Sequence, residues 1–420
     1  MNTVVSMAGI VSILRPRQGL DDLSGAGFTS LMPDLGMFAS VAKMTEADYR
    51  PDAIRRCYEN FKKELGKRAL TFPVARAPLL SPATKRPDLN ARILRLNRDC
   101  IKACEEMGCG SIIVQPLFAG IARERIWEEN RAYYLTLAQA CEKAETKILL
   151  LNQCREQSGH LIRGICSDGA SAAGWVDSLN EAAGAERFGF CMDSGYCNVC
   201  RQDMQAFASA LGGRLRAVIL TDNDGRQDMR RLPFAGGCGL YSGTDWLALI
   251  RGLRGSGFDG DLILDLQDTV QAFSPLLRPQ VLALGRATAD YFAMQVGIEN
   301  ALKKYSSVVL FGAGNMCRNY IKCYGAKYPP LFTCDNNEKL WGTEFCGLEV
   351  RSPEAMKICL RDAASLSAIP ITVRSRHSSE RWAWKGSNIL TMNICRHIIL
   401  TESGGRNRIC RRSVYRRKMS

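Results

Sequence analysis

The chain has 420 residues, of which 46% are hydrophobic and 23% are charged. This composition is ordinary for a folded globular protein and excludes a mostly disordered chain. No stretch approaches the ~20 uncharged apolar residues that a membrane span needs. The length predicts two domains, or one large domain and a small one.

The positive charge of the chain is concentrated near its end. The formal net charge is +14, which at first suggests a nucleic-acid partner. Residues 361–420 carry 13 Lys and Arg against 3 Asp and Glu, whereas residues 1–360 carry 43 against 39. The first 360 residues are therefore close to neutral and lack the excess of basic residues that binds a phosphate backbone. We expect a small-molecule ligand, with neither a nucleic-acid nor a membrane partner.

Cysteine and histidine usage limits the chemistry. Many of the 18 cysteines stand at apolar positions of predicted strands and helices, as Cys100, Cys104 and Cys191 do. This distribution is typical of reduced, buried thiols in a cytoplasmic protein. The short apolar run near the first residue has no basic residues before it and no cleavage pattern after it, so we interpret it as a buried strand rather than a signal peptide. Of the 3 histidines, only His160 lies in the first 360 residues, which restricts any metal site.

Strand-length apolar runs alternate with helix-period segments from residue 8 to residue 298. The runs are 8–14, 28–34, 69–74, 111–117, 147–152, 188–193, 216–222 and 261–266, and the helical segments are 88–106, 126–144, 168–183, 201–211, 244–255 and 277–298. Continuously apolar strands between amphipathic helices are typical of a parallel sheet covered by helices. The count of eight favours a (β/α)₈ TIM barrel over residues 1–298, with an open doubly wound sheet as the alternative.

A second, smaller α/β unit is predicted over residues 304–360. It opens with a strand, a glycine turn and a helix, and a second strand then ends at Asp335. This order is typical of a Rossmann-like domain in which Gly312 and Gly314 let the backbone approach a phosphate, while Asp335 suits a ribose hydroxyl. Cys317 replaces the third glycine of the pattern. The segment predicts a nucleotide site, with an empty Rossmann-like fold used for packing or assembly as the alternative.

Residues 361–420 follow neither the two-residue nor the 3.6-residue period. We predict an irregular basic tail. One hypothesis is a frameshifted 3′ end, because plausible codons read one base back spell ordinary strand-and-loop protein. A solvated native tail is the alternative. Sequencing the gene across codons 355–420 distinguishes the two.

Polar side chains follow the predicted barrel strands, at the face where TIM barrels carry their chemistry. They are Asp34, Arg76, Gln115, Asn152, Arg155, His160, Arg163, Asp193, Asp222 and Asp265. Carboxylates and amides with arginines nearby suit a polyhydroxylated ligand that bears an anionic group. The alternative is that these residues only cap the helices that follow them.

Four segments resemble the sugar phosphate isomerase/epimerase family, whose barrel is xylose isomerase-like. They are Lys147–Arg155, Cys191–Tyr196, Ala217–Asp222 and Gly257–Asp265. The resemblance implies a divalent metal held by Glu, Asp, His and Glu at the ends of barrel strands five to eight. This sequence keeps the Asp as Asp193 and shortens the last Glu to Asp265, whereas Leu151 and Ile219 replace the other two ligands. At most a weak Mn²⁺ or Mg²⁺ site is implied.

The resemblance implies isomerisation or epimerisation of a sugar or sugar phosphate. Asp193 and Asp265 are then the catalytic candidates and the remaining metal ligands. The predicted substrate-binding residues are Asn152, Arg155 and Asp222 at the hydroxyls, Arg155 or Arg163 at an anionic end, and Gln115 and His160 beside them. The alternative is a non-catalytic sugar or nucleotide-sugar binding protein, and a homo-oligomer is compatible with either.

Two other sites are disfavoured. Endonucleases of related fold need a histidine-rich multi-zinc site, which a single barrel histidine cannot supply. The lone pair Cys197 and Cys200 has no second pair at zinc-finger spacing, so neither a structural zinc site nor a redox motif is favoured.

Overall fold

The structure is a computed structural model. It describes residues 1–12, 15–36, 59, 61, 63–78, 87–117, 121, 123–140, 146–235, 243–303, 307–355, 368–372 and 390–391. The chain forms two compact units, Met1–Glu299 and Asn300–Ser420.

The first unit is built around a parallel sheet. Its strands are β1 (Asn2–Ser6), β2 (Leu31–Met32), β3 (Val74–Arg76), β4 (Ser111–Ile113), β5 (Lys147–Leu151), β6 (Cys154–Gln157), β7 (His160–Arg163), β8 (Phe188–Asp193), β9 (Leu215–Leu220) and β10 (Asp261–Leu264). All except the β6–β7 hairpin form one eight-stranded sheet in the order β2-β1-β10-β9-β8-β5-β4-β3. Parallel bridges from Ser30 to Thr71 and from Asp34 to Arg76 bring the edge strands together and nearly close the ring. The predicted TIM barrel is confirmed.

Helices follow the strands and cover the outside of the ring. They are α1 (Pro16–Gly25), α2 (Pro87–Met107), α3 (Ile126–Ala140), α4 (Gly169–Ala183), α5 (Ser194–Val199), α6 (Met204–Leu211), α7 (Trp246–Gly255), α8 (Gln267–Ala272) and α9 (Arg278–Leu302), with short 3₁₀ turns at Arg123–Arg125, Gly212–Arg214 and Pro275–Leu277. Several begin at an aspartate whose carboxylate accepts a backbone N–H, as Asp168, Asp203 and Asp245 do. Among the residues described, no helix is both long and apolar enough to cross a bilayer.

Strand alternation divides the barrel core into two layers. The inner layer takes residues from all eight strands: Val4, Met32, Val74, Ile113, Leu149, Leu151, Cys191, Ala217, Ile219 and Ile263. Their neighbours along each strand, such as Val5, Leu150 and Val218, pack outward against the helices. Because side chains alternate, the residue two positions beyond an inner one also points to the barrel axis. This rule decides which polar residues reach the mouth at the carboxyl end of the strands.

The first strand lies earlier than the sequence predicted. The predicted run was 8–14, whereas β1 is Asn2–Ser6, with Val4 in register with Ile263 of β10. Residues 7–11 form a turn in which the N–H groups of Ile10 and Val11 donate to the carbonyl of Met7 at 3.1 and 3.0 Å. Their apolar side chains join the outer core instead of a strand. Residues 13–14 lie outside the described part of the chain.

The second unit has a six-stranded sheet. Its elements are β11 (Ser307–Phe311), α10 (Asn315–Tyr320), β12 (Pro330–Cys334), β13 (Glu344–Phe345), β14 (Leu348–Arg351), β15 (Ala368–Thr372) and β16 (Leu390–Thr391), with a π turn at Ile321–Gly325 and a 3₁₀ turn at Glu338–Leu340. The strand order is β13-β14-β12-β11-β15-β16. Strands β15 and β16 lie within 361–420, where the sequence shows no period. The rest of that segment is outside the described residues, so the irregular tail and the frameshift stay predictions.

Candidate active site

Four charged side chains stand at inward positions of the barrel mouth. Asp34, Arg76, Asp193 and Asp265 each lie two residues beyond an inner-layer residue of their strand. Asp193 and Asp265 are 0% and 1% exposed, and Arg76 is 6% exposed. Burying a charge is costly unless it is paired, so the partners of these groups define the site.

Arg76 joins two of the carboxylates. It donates from Nη2 to Asp34 Oδ2 at 2.7 Å and from Nη1 to Asp265 Oδ2 at 3.2 Å. Burial by itself lowers the pKa of Arg76, but the charges of Asp265 and Asp34 outweigh it and raise that pKa above its ordinary value. The guanidinium therefore stays charged and holds two carboxylates in one place, one of them 189 residues away from Arg76 in sequence.

Arg230 pairs with the third carboxylate. It donates from Nη1 to Asp193 Oδ2 at 2.5 Å and from Nη2 to Asp228 Oδ2 at 3.4 Å, and Nη2 lies 3.1 Å from Asp228 Oδ1. Its guanidinium carbon lies 4.8 Å from the centroid of the Tyr196 ring, a cation–π contact. Burial by itself lowers the pKa of Arg230, but nearby carboxylates, Asp193 first, raise it well above the ordinary value.

Hydrogen bonds hold the loop after β9 in a conformation in which Arg230 faces the mouth. The Arg230 N–H donates to Asp268 Oδ2 at 2.7 Å. Next to it, Arg231 and Asp222 exchange backbone hydrogen bonds of 2.9 and 3.2 Å. Arg230 was not among the site residues predicted from the sequence. The sequence feature that could have indicated it is a pair of consecutive arginines among acidic residues in the loop after the seventh barrel strand.

The two predicted catalytic acids differ in how many of their carboxylate oxygens have hydrogen-bond partners. Asp193 caps α5, and its Oδ1 accepts the Tyr196 N–H at 3.0 Å while its Oδ2 accepts from Arg230. Asp265 uses only Oδ2, and its Oδ1 is buried without a hydrogen-bond partner among the described residues. A buried carboxylate oxygen without a partner is destabilising, and a ligand hydroxyl or water would satisfy it. Asp265 Oδ1 is therefore a buried acceptor at the mouth that no hydrogen-bond donor of the described residues satisfies.

The side chain of Asn152 forms its hydrogen bonds within the protein. It follows inward-facing Leu151, so its side chain points away from the axis. Its Oδ1 accepts the Asp193 N–H at 2.6 Å, and its Nδ2 donates to the Asp193 carbonyl at 3.1 Å and to Cys197 Sγ at 3.4 Å. Asn152 thus holds the backbone of Asp193 in place. Its contact with substrate stays a prediction.

Asp222 also bonds within the protein. Its Oδ1 accepts the Asn223 N–H at 2.9 Å and the Thr244 hydroxyl at 2.6 Å. Gln115 is half-buried two residues beyond inner-layer Ile113, so alternation directs it to the mouth. Substrate binding by either residue stays a prediction.

The remaining predicted binding residues lie on the β6–β7 hairpin. Arg155, His160 and Arg163 are exposed on its two antiparallel strands. Ser158 and Gly159 form the turn with φ of 52° and 80°. Positive φ at both central residues is typical of a type I′ hairpin turn. The three residues are grouped as predicted, but on an exposed hairpin rather than at the strand ends, and a role in holding an anionic group stays a prediction.

A second concave region lies at the opposite end of the barrel. A cavity of about 450 Å³ near the amino ends of β3 and β4 is lined by Leu65, Gly66, Ala69, Leu70, Thr71, Phe72, Pro73, Met107 and Gly108. Its lining carries no charged side chain, so it does not offer the carboxylate and guanidinium groups that recognise a polyol.

The glycine turn of the second unit bonds to its own aspartate. Gly312 adopts φ of +110°, which favours glycine, and the following Ala313 N–H donates to Asp335 Oδ2 at 2.7 Å. Asp335 Oδ1 accepts the Asn337 N–H at 2.8 Å. The turn and Asp335 are therefore brought together as predicted, but with each other as partners. Nucleotide binding at Gly312, Gly314 and Asp335 stays a prediction.

The residues at the mouth do not fit the metal that the resemblance implies. Leu151 and Ile219, at two ligand positions, are buried in the inner core at 2% and 0% exposure. Asp193 has both oxygens bonded, and Asp265 has one left. In the part of the chain that the structure describes, no three His, Cys, Asp or Glu side chains converge to hold a metal ion.

Cys197 and Cys200 do not change that conclusion. Both are buried free thiols. Burial raises the pKa of the Cys200 thiol to about 11, so the thiolate that binds metal or attacks disulfides is scarce near neutral pH.

Among the solved structures with a similar fold are sugar epimerases and a xylose isomerase domain protein. A D-tagatose 3-epimerase-like protein has a TM-score of 0.49 at 16% identity, covering 69% of this chain and 98% of its own. A D-allulose 3-epimerase from Methylomonas sp. has 0.49 at 15%, covering 70% and 98%. A xylose isomerase domain protein from Alicyclobacillus acidocaldarius has 0.48 at 15%, covering 70% and 99%. These likenesses concern the fold.

No curated protein sequence matches the chain. A protein family does: residues 20–280 match the xylose isomerase-like TIM barrel. The matched range runs from α1 into α9 and contains every charged residue of the mouth. The chain belongs to the xylose isomerase-like TIM barrel family.

Proposed function

We propose that the barrel mouth binds a sugar or sugar phosphate and that the protein is an isomerase/epimerase-like enzyme in which Asp265 is the base. The observation that carries this proposal is Asp265 Oδ1, a buried carboxylate oxygen without a partner among the described residues. It stands at the carboxyl end of a barrel strand, where enzymes of this fold carry their chemistry. Arg76 bonds the other oxygen at 3.2 Å and fixes the orientation of the carboxylate.

The geometry favours isomerisation over epimerisation. Removing a proton from the carbon beside a sugar carbonyl gives an enediolate, and one base can return that proton to the adjacent carbon from the same face. Inverting a single carbon needs a second base on the opposite face. Asp193 is the second predicted acid, but both of its oxygens are already bonded, one of them to Arg230. A single working base therefore supports interconversion of an aldose and a ketose.

The alternative is a barrel that binds a sugar or nucleotide-sugar without reaction. The observation in its favour is the apolar burial of Leu151 and Ile219, where the resemblance implies a Glu and a His. Removing two of four functional groups, while polar residues remain around the mouth, is compatible with recognition alone.

Solvent exchange tests the enzyme directly. The protein is incubated in D₂O with aldoses, ketoses and their phosphates, and deuterium at the carbon beside the carbonyl is followed by NMR. We expect exchange with at least one sugar, reduced by about 10²–10⁴-fold in Asp265→Asn. Asp261→Asn is the matched control, because Asp261 lies on the same strand at its other end and bonds Asn2 at 2.8 Å.

Binding is measured in parallel by thermal shift at millimolar sugar. Exchange that survives Asp265→Asn contradicts the role of Asp265. Stabilisation by a sugar without exchange supports the binding protein instead, and neither stabilisation nor exchange contradicts the sugar assignment altogether.

A further inference from the structure

We infer that two arginines, Arg230 and Arg76, take the place of the divalent cation in this barrel. This inference rests on the proposed function and adds to it the group that stabilises negative charge on the substrate. The resemblance implies that the acids at the ends of barrel strands six and eight face a metal. Here Asp193 receives the Arg230 guanidinium at 2.5 Å, and Asp265 receives that of Arg76 at 3.2 Å.

The two cations belong to one cluster. Arg76 bonds Asp265 Oδ2 at 3.2 Å, and the Arg230 N–H bonds Asp268 Oδ2 at 2.7 Å, close in sequence to Asp265. The strands that lead to Asp193 and Asp265 flank the same strand, β9, whose Ile219 pairs with Asp193 on one side and with Ile263 on the other. Both guanidinium groups therefore lie at the same part of the mouth as the two acids.

The apolar residues at two implied ligand positions are consistent with arginine, rather than a metal ion, as the cation at the mouth. A metal needs several donors around it, and Leu151 and Ile219 have removed two of them from the inner face of the barrel. An arginine needs no such cage, because it is a permanent cation that needs only a carboxylate or an aromatic face beside it. Arg230 has both in Asp193 and the Tyr196 ring, with Asp228 as a second carboxylate.

Arg230 can also meet a ligand. A guanidinium has five N–H groups, and two of those of Arg230 bond Asp193 and Asp228. Its side chain is 13% exposed. The guanidinium therefore keeps N–H groups from which a substrate oxygen can accept a hydrogen bond.

The chemistry balances without a metal. Asp265 takes the proton as the C–H bond beside the carbonyl breaks, and the electron pair forms the enediolate double bond. The carbonyl oxygen becomes negative, and the guanidinium N–H groups stabilise that charge in a site shielded from water. Asp265 then returns the proton to the adjacent carbon. The hydroxyl on the carbon that lost its hydrogen gives its proton to the negative oxygen, which becomes a hydroxyl, and the second carbonyl forms. No oxidant or reductant is consumed.

Metal dependence is the first test. The purified protein is dialysed against EDTA and then assayed for solvent exchange with and without 1 mM MnCl₂ or MgCl₂. We expect a change of less than about twofold, because the cation is part of the chain, and no stoichiometric Mn²⁺ binding by electron paramagnetic resonance. Loss of exchange in EDTA that Mn²⁺ restores would overturn the inference, as would wild-type Mn²⁺ binding that Asp193→Asn removes.

Substitution of Arg230 is the second test. Arg230→Met should lower the exchange rate by about 10²–10³-fold, the effect of removing one group that stabilises an oxyanion. It should also release Asp193, so that Mn²⁺ bound weakly to Asp193 and Asp265 becomes detectable by resonance. Arg226→Met is the control, since Arg226 is exposed on the same loop. Unchanged exchange in Arg230→Met overturns the inference.

The two proposals fail in different ways. If no sugar binds or exchanges, the proposed function is wrong, yet the Mn²⁺ titration of wild-type protein still tests whether the mouth accepts a metal. If exchange occurs but needs Mn²⁺, the function stands and the arginine inference is wrong. Should Arg230→Met fail to fold, Arg230→Lys keeps a charge beside Asp193, and we expect reduced exchange there without Mn²⁺ dependence, because the bidentate fork is lost.

Discussion

The barrel mouth and the glycine turn of the second unit each present an aspartate just after a parallel strand, but the two carboxylates are used differently. Asp265 bonds Arg76 through one oxygen and leaves the other buried without a partner in the described structure. Asp335 bonds the Ala313 N–H through one oxygen and the Asn337 N–H through the other, at 2.7 and 2.8 Å. One carboxylate oxygen at the mouth thus lacks a partner among the described residues, whereas the glycine turn satisfies its own aspartate.

The cause of the difference is the partner that each strand end finds. A nearby backbone turn can supply N–H groups at little entropic cost, and Gly312 with φ of +110° leads directly into the Ala313 N–H that Asp335 accepts. At the mouth, the partners are long side chains from distant parts of the chain: Arg76 of β3 for Asp265, and Arg230 of the loop after β9 for Asp193. A guanidinium cannot bond every oxygen of the carboxylates around it, so Asp265 Oδ1 is left without a hydrogen-bond donor among the described residues.

The largest effect is expected at Arg76. Arg76→Met leaves Asp265 and Asp34 buried without their cation, and breaking a buried pair from one side costs about 3–5 kcal/mol. We expect a loss of that size in the free energy of unfolding, measured by urea denaturation of the barrel transition. Arg214→Met is the comparison: Arg214 pairs with exposed Asp177 on the surface, where the loss is at most about 1 kcal/mol.

A double variant separates the loss of a charge partner from loss of packing. The double variant Arg76→Met/Asp265→Asn no longer buries the unpaired charge of Asp265. We therefore expect it to have a higher free energy of unfolding than Arg76→Met alone. If Arg76→Met costs no more than Arg214→Met, the mouth carboxylates do not depend on Arg76, and the contrast with the self-bonded Asp335 disappears.

The architecture was largely predictable because parallel strands buried on both faces are continuously apolar. The strands at 188–193, 215–220 and 261–264 lie within a residue or two of the predicted runs. The first strand was misplaced because the longer apolar run at 8–14 outweighed the short Val4–Val5 pair. Pairing with β10 decided the outcome, and that pairing is a tertiary property that local hydrophobicity does not contain.

The site was predictable only in its strand-end acids. Alternation places Asp193 and Asp265 inward, but Arg230 reaches Asp193 across 37 residues from a loop without a period. Asn152 is different, because the resemblance puts Leu151, the residue before it, at a ligand position, and ligand positions face the inside of the barrel. Strict application of the two-residue period would have directed Asn152 outward, where it holds the backbone of Asp193.

An intermediate effect is expected at Asn152. Asn152→Ala removes the two side-chain hydrogen bonds to the buried Asp193 backbone. We expect a loss of about 2 kcal/mol in the free energy of unfolding, because burying a polar group without its hydrogen bond costs the free energy of its desolvation. Gln153→Ala is the matched control one residue further, since it removes a single neutral hydrogen bond to the Pro116 carbonyl at 3.1 Å. Urea denaturation of both variants checks the order. Equal losses would show that Asn152 does not hold Asp193 in place.

The smallest effect is expected at the glycine turn. Asp335 is half-exposed, so water replaces part of what Asp335→Ala removes, and the local loss is about 1 kcal/mol. Hydrogen exchange of the Ala313 and Asn337 amides should accelerate about fivefold, which corresponds to that energy, while barrel amides are unchanged. Glu349→Ala is the control, because Glu349 bonds exposed Arg351 in the same sheet at 2.6 Å. If the Ala313 amide keeps its protection, Asp335 is not held by the turn. Its carboxylate is then available to a ribose hydroxyl, and the two regions are alike after all in offering a carboxylate to a ligand.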